Sequence, residues 1–313
     1  DNTERHEGLV AAIATESVVK LLAFMAVGVF VTWGLFSGPA DLFQRALAQP
    51  AIAAVLQPAA EGFAYDQWFA LLLLAMLSVL MLPRQFQVMV VENVDERHVK
   101  RAAWAFPAYL LLINLFVLPI AMGGLLYFGA GGANPETFVL SLPLAAGMPW
   151  LAAVAFIGGL SAATGMVVVE AIAVSTMVCN DLVLPLLLRR VGGQARDLTR
   201  LLLFTRRAVI VGLLLLGWLY YRVAGEAYAL VSIGLISFAA VAQFAPALLG
   251  GLFWKGGTRN GALAGLSAGA LLWLWTLLLP SVAKSGWLDA GFLLHGPFGI
   301  ELLRPEALLG LTG

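Results

Sequence analysis

Residues 80 to 91 read Leu-Met-Leu-Pro-Arg-Gln-Phe-Gln-Val-Met-Val-Val, inside an apolar run long enough to cross a bilayer. Pro83 has no N–H to offer, so the carbonyl of Val79 loses its intrahelical partner, and the proline ring crowds the turn before it. Backbone freed at membrane depth needs new partners from protein or from a water-filled cavity. Arg84, Gln85 and Gln87 would each cost several kcal/mol if turned to lipid. Pro83, Arg84, Gln85 and Gln87 therefore read as the wall of a polar chamber able to bind a solute. The plainer alternative is a proline kink whose glutamines bond a neighbouring helix.

A second polar set lies in residues 158 to 181, Gly-Gly-Leu-Ser-Ala-Ala-Thr-Gly-Met-Val-Val-Val-Glu-Ala-Ile-Ala-Val-Ser-Thr-Met-Val-Cys-Asn-Asp. At 100° per residue, Leu160, Val167, Val174 and Val178 share a side suited to lipid. Ser161, Thr164, Ser175, Thr176 and Cys179 share another, and Glu170 falls nearly opposite the hydroxyls. Gly158, Gly159, Ala162 and Ala163 allow close helix approach. Glu170 is an intramembrane carboxylate, a group that carries protons, ligates cations or balances an arginine such as Arg84. Glu16 and Lys20 stand at i, i+4 in the order that favours a helical ion pair, and are expected to be structural. His6, His98 and His295 are scattered, so no metal cluster is predicted. No phosphate loop, dinucleotide fingerprint, nucleophile elbow or kinase motif is present, and this chain is not expected to be an enzyme.

The elements that must position these groups follow from composition. Of 313 residues, 61% are hydrophobic and only 12% charged, with a mean hydropathy of +0.92, outside the range of soluble domains. Seven runs meet the length of a span: roughly 8 to 36, 66 to 91, 102 to 128, 149 to 179, 205 to 225, 227 to 253 and 261 to 283. The fold class is all-α, a polytopic bundle in the lipid bilayer, expected as a single transmembrane domain over 1–313. The formal charge of zero suggests no nucleic-acid partner, and one cysteine makes no disulfide framework. Lys and Arg concentrate in alternate loops, Arg97, Lys100 and Arg101 in one and Arg189 to Arg207 in another, which places the amino end in the cytoplasm. Residues 39 to 63 read as a short outer helix, 130 to 147 as a loop dipping to the bilayer surface, and 284 to 313 as an extracytoplasmic tail. The start on Asp-Asn-Thr and the end on Leu-Thr-Gly suggest a fragment.

One stretch is more specific: Pro246-Ala-Leu-Leu-Gly-Gly-Leu-Phe-Trp254-Lys255-Gly-Gly-Thr258-Arg-Asn-Gly261-Ala. It resembles the Pro-x-Leu-x-Gly-Leu-Phe-Trp-Lys-x-x-Thr-x-x-Gly-Ala signature of the sodium:solute symporter family. Thr3-Glu4 with Glu7, Val117-Leu-Pro119 and Asn180-Asp-Leu182 fall in register with that family. Leu82-Pro-Arg-Gln-Phe, Val94-Asp-Glu-Arg-His, Ser161-Ala-Ala-Thr-Gly-Met and Ser175-Thr-Met-Val-Cys-Asn-Asp-Leu look like the transporter-like domain fused ahead of bacterial sensor histidine kinases. The resemblance implies two inverted five-helix repeats with solute at the midplane beside broken helices, the fragment starting at core helix five and 66 to 91 being the broken core helix six. Tyr109 aligns where sugar-transporting relatives place a substrate-binding lysine, implying a different solute. The family's sodium site on core helix eight aligns, from Asp181, with Ala162, Gly165 and Met166, which lack its two hydroxyls. A one-residue slip would bring in Ser161 and Thr164. A hard cation needs oxygen ligands, so proton coupling through Glu170 stands beside sodium.

The expected function is a solute:cation symporter-type domain moving or sensing a small polar solute such as an amino acid, as input to a kinase region that is absent here, in the bacterial inner membrane. The implied partners are that solute, the bilayer, missing amino-terminal helices and a carboxyl-terminal kinase. No cofactor beyond a coupling Na+ or H+ is implied. The rivals are a freestanding symporter and a transport-dead scaffold that binds a ligand or partner.

Overall fold

The computed structural model describes residues 7–56, 65–129, 131–186, 198–224, 230–284 and 294–295. All regular structure among them is helical, with no strand. Among the described residues six helices are long and apolar enough to cross a membrane, beginning with Gly8–Leu35 and ending with Arg259–Ala283, and a bent pair, Trp68–Met81 and Pro83–Val91, adds a seventh if it crosses as one span. The chain is a multi-pass membrane protein: its long helices are apolar over the length of a span, and large side chains such as Leu111, Leu215 and Phe253 stay uncovered by protein. Packing divides it into two compact units, residues 1–64 with 87–170, and residues 65–86 with 171–313.

The first unit is built on α1 (Glu7–Val29), which runs on through a widened π turn, Phe30–Leu35. Gly38 at φ 120°, a value suited to glycine, turns the chain into α2 (Pro39–Ala48). Pro39 takes the first helical position, where its missing N–H costs nothing. Asp41 accepts from the Ser37 N–H at 3.0 Å and from Arg45 Nε at 2.7 Å, and Leu42 and Ala46 bury one face. A second short helix, α3 (Pro50–Leu56), follows, so the region read as one outer helix is two; residues 57–63 lie outside the described residues.

The break of the second span puts α4 (Tyr65–Met81) and α5 (Pro83–Phe86) in the second unit, and the π turn Gln87–Val91 in the first. Asp95 caps α6 (Glu96–Asn114), accepting from the Arg97 N–H at 2.9 Å. A two-residue irregularity, Leu115 and Phe116, leads into α7 (Val117–Phe128), and the two cross as one span, Glu96–Phe128. After α7, a 3-10 turn at Pro135–Thr137 opens α8 (Phe138–Ala145). This region was expected to be a loop at the bilayer surface. Instead Phe138 and Leu142 join Val27, Val31, Phe116, Ile120, Leu151 and Ala155 in the core of the unit, with Val139 and Leu140 packed against it, and burying these side chains repays ordering the segment. The last long helix of this unit is α9 (Pro149–Met177), with a π turn at Val178–Val183.

The second unit adds α10 (Leu198–Ala224), α11 (Leu230–Ala242), α12 (Phe244–Phe253), α13 (Arg259–Trp273) and α14 (Leu279–Lys284). Thr258 caps α13, accepting from the Gly261 N–H at 3.1 Å, and a π turn, Leu274–Leu278, joins α13 to α14. Trp273 Nε1 donates to the Ile236 carbonyl at 2.9 Å, and the buried Cys179 thiol to that of Leu202 at 3.4 Å. The tail beyond Lys284, and Arg189, Arg190 and Arg196, lie outside the described residues apart from Leu294 and His295, which are exposed.

Candidate functional site in the membrane helices

The second span breaks where Pro83 falls. Leu82 still donates to the Ser78 carbonyl at 3.1 Å, and Phe86 resumes the ladder on Leu82 at 3.0 Å. Between them the axis bends by 51°. Pro83, without a donor, starts the second piece. One turn later the ladder widens: the Glu92 N–H reaches back to the Gln87 carbonyl at 2.9 Å. Gln87 is only 7% exposed, and its amide nitrogen donates to Glu92 Oε1 at 3.1 Å, which ties the π turn at both backbone and side chain. Its own side-chain oxygen has no donor among the described residues. Arg84 and Gln85, in the second unit, are half-buried, and neither side chain makes a hydrogen bond among the described residues.

In the first unit, α1 is the meeting point. Tyr109 of α6 is half-buried, and its hydroxyl donates to the Ser17 carbonyl at 3.1 Å. Lys20 Nζ stands 5.7 Å from the centre of the same ring, within cation–π range. On another side of α1, Gly158 and Gly165 of α9 form a seam. A Cβ built on Gly158 would lie 2.4 Å from that of Ala23, and one on Gly165 would fall on the Glu16 carboxylate. Seven residues forward on α9 thus match seven backward on α1: the two helices run antiparallel. By contrast α6 and α7 run parallel to α1, Tyr109 meeting Ser17 and Lys20 while Phe116 meets Gly28. Glu16 and Lys20, expected to pair with each other, face different neighbours.

The remaining predicted positions divide. Ser161 and Ala162 are half-buried, whereas Thr164 is exposed and its hydroxyl donates within its own helix, to Leu160 at 2.9 Å. Glu170 is half-buried. The hydroxyl face does not stay together: Ser175 and Cys179 are buried while Thr164 is not. So the structure gathers Tyr109 and Gly165 around α1, through Ser17, Lys20 and Glu16. Pro83, Arg84 and Gln85 fall in the other unit. Sequence reading missed that Glu16 meets the glycines of α9; the signal available was the seven-residue spacing of Gly158 and Gly165, which marks a helix-contact seam without naming its partner.

Two carboxyls outside the spans are held below the usual range. Asp95 is lowered by the Arg97 guanidinium, Nη2 at 2.7 Å, and next by the Arg97 N–H. Asp41 is lowered by the Ser37 N–H and next by Arg45. In the second unit the Pro246–Gly261 stretch forms the walls of a cavity of about 440 Å³ between α12 and α13, edged by Gln243, Trp254, Thr258 and Arg259. Among the described residues no three His, Cys, Asp or Glu side chains gather to hold a metal. Compared with known proteins, the chain matches no family model, no curated protein and no solved structure.

Proposed function

We propose that this chain is the later part of a secondary-transport domain of the sodium:solute symporter kind, carrying or sensing a small polar solute such as an amino acid as the input module of a sensor histidine kinase in the bacterial inner membrane. The observation that carries this reading is the broken second span, where a proline break, a π turn and the buried Gln87 coincide at membrane depth. Interrupted helices of this sort supply polar groups to solutes where an intact helix has none to spare. Arg84 and Gln85 keep unused donors beside the break, suited to a carboxylate or another polar solute group. A solute that binds one arrangement of the broken helix better than the other shifts the population between them. Carried as far as its fold, the proposal is the second half of an inverted-repeat bundle.

The test is uptake of labelled amino acids by the intact protein in proteoliposomes. Wild type should accumulate one solute class, and Gln87→Ala and Arg84→Ala should each cut uptake by about tenfold, the loss of one polar contact worth ~1.4 kcal/mol. Normal uptake by both variants removes the site from the break.

A further inference from the structure

Glu16 sits eight residues into the span Gly8–Leu35, about 12 Å along the axis at 1.5 Å per residue. It is half-buried, and among the described residues its carboxylate accepts no hydrogen bond and pairs with no cation. It lies instead on the bare backbone of Gly165, in space a Cβ there would fill. An ionised carboxylate with no donor is poorly held at such a depth. The facing groups bear on its charge. Lys20 stands one turn on along α1, with its ammonium over Tyr109 of α6. Glu170 lies five residues beyond Gly165 on α9. Lys100 and Arg101 are exposed at the start of α6. The π turn of α1, α7 and α8 bring no Lys, Arg, His, Asp or Glu.

We infer that Glu16 is a proton-binding site of the membrane interior, protonated while α1 and α9 are closed on the glycine seam and exchanging its proton when they part. The reaction is addition of one H+ to one carboxylate oxygen and its return to water. A proton suits the place better than a hard cation, which needs about six oxygens around it: the nearby Thr164 hydroxyl is turned into its own helix. As a coupling group Glu16 rests on the transport reading above; as a proton site it stands alone.

The test is an infrared pH titration of the intact protein in lipid nanodiscs, following the C=O stretch of protonated carboxyls. Wild type should show a titrating band that is lost in Glu16→Gln and kept in Glu170→Gln. Gly165→Ala, whose methyl takes the space of the carboxylate, should shift the midpoint, and Glu16→Asp with Gly165→Ala, one methylene shorter against one methyl longer, should return it toward wild type. A band unchanged in Glu16→Gln, or a Gly165→Ala titration identical to wild type, overturns the inference. In proteoliposomes, proton-driven uptake should fall about tenfold in Glu16→Gln, within the usual range of coupling between two sites. A wild-type band with no uptake in any variant supports the proton site and removes the transport reading.

Discussion

Gly28 and Gly8 lie on the same helix, yet an added methyl has opposite consequences at the two. At Gly28 it would fall 2.2 Å from the Phe116 ring, while at Gly8 nothing lies within 4 Å. Gly28→Ala should lower the thermal stability of the detergent-solubilised protein by about 1–3 kcal/mol, the usual cost of overpacking; Gly8→Ala should leave the melting curve in place. The cost at Gly28 was invisible in the sequence, since only the packing of Phe116 against that glycine sets it. Glu16 and Lys20 teach the same lesson, because i, i+4 spacing gave them a common face but not the neighbours that compete for them. Asp95 was legible only as a polar residue before a helix. Its carboxyl, lowered by Arg97, binds its proton less readily folded than unfolded, so its contribution to holding the start of α6 is present above the ordinary carboxylate range and is lost as pH falls through the lowered value. Amide exchange at Arg97 and His98 should be slow and constant at neutral pH and accelerate in acid, and Asp95→Ala should exchange fast throughout.

The break after α4 was legible because proline acts through covalent structure: its missing N–H needs no knowledge of the rest of the fold. Pro83→Ala restores a donor to the Val79 carbonyl and should straighten the span. Spin labels at Ala75 and Val90, both exposed positions, should then move apart in pulsed electron-spin distance measurements; an unchanged distance would mean that packing, not proline, makes the bend. The π turns at Phe30–Leu35, Gln87–Val91, Val178–Val183 and Leu274–Leu278 were not legible. Each inserts a residue and so resets the 3.6-residue phase, and in runs that are apolar all round there is no polar face against which to notice the slip. The hydroxyl face of α9 separates for another reason: Thr164 and Ser175 lie in one regular helix, on one face but three turns apart, so different neighbours cover them.

The all-helical, multi-pass character of the molecule was legible from hydropathy alone, because the bilayer imposes length and backbone satisfaction on any crossing segment. Packing into two units was not, since it depends on contacts distant in sequence. A crossing by α6 and α7 places the two ends of Glu96–Phe128 on opposite faces of the membrane. Single cysteines at Glu96 and Glu136, both exposed, should therefore be labelled by impermeant maleimide from opposite sides, with little background from Cys179, the sole native thiol, which is fully buried. The glycine seam has a mechanical consequence. Sliding α9 by one turn along α1 would set Lys20 or Ala12 against Gly165 and bring Ser161 or Val169 up to Glu16, so side chains would collide where bare backbone now meets them. The two rods are geared like meshed teeth: they can swing apart and re-engage, but they cannot shear.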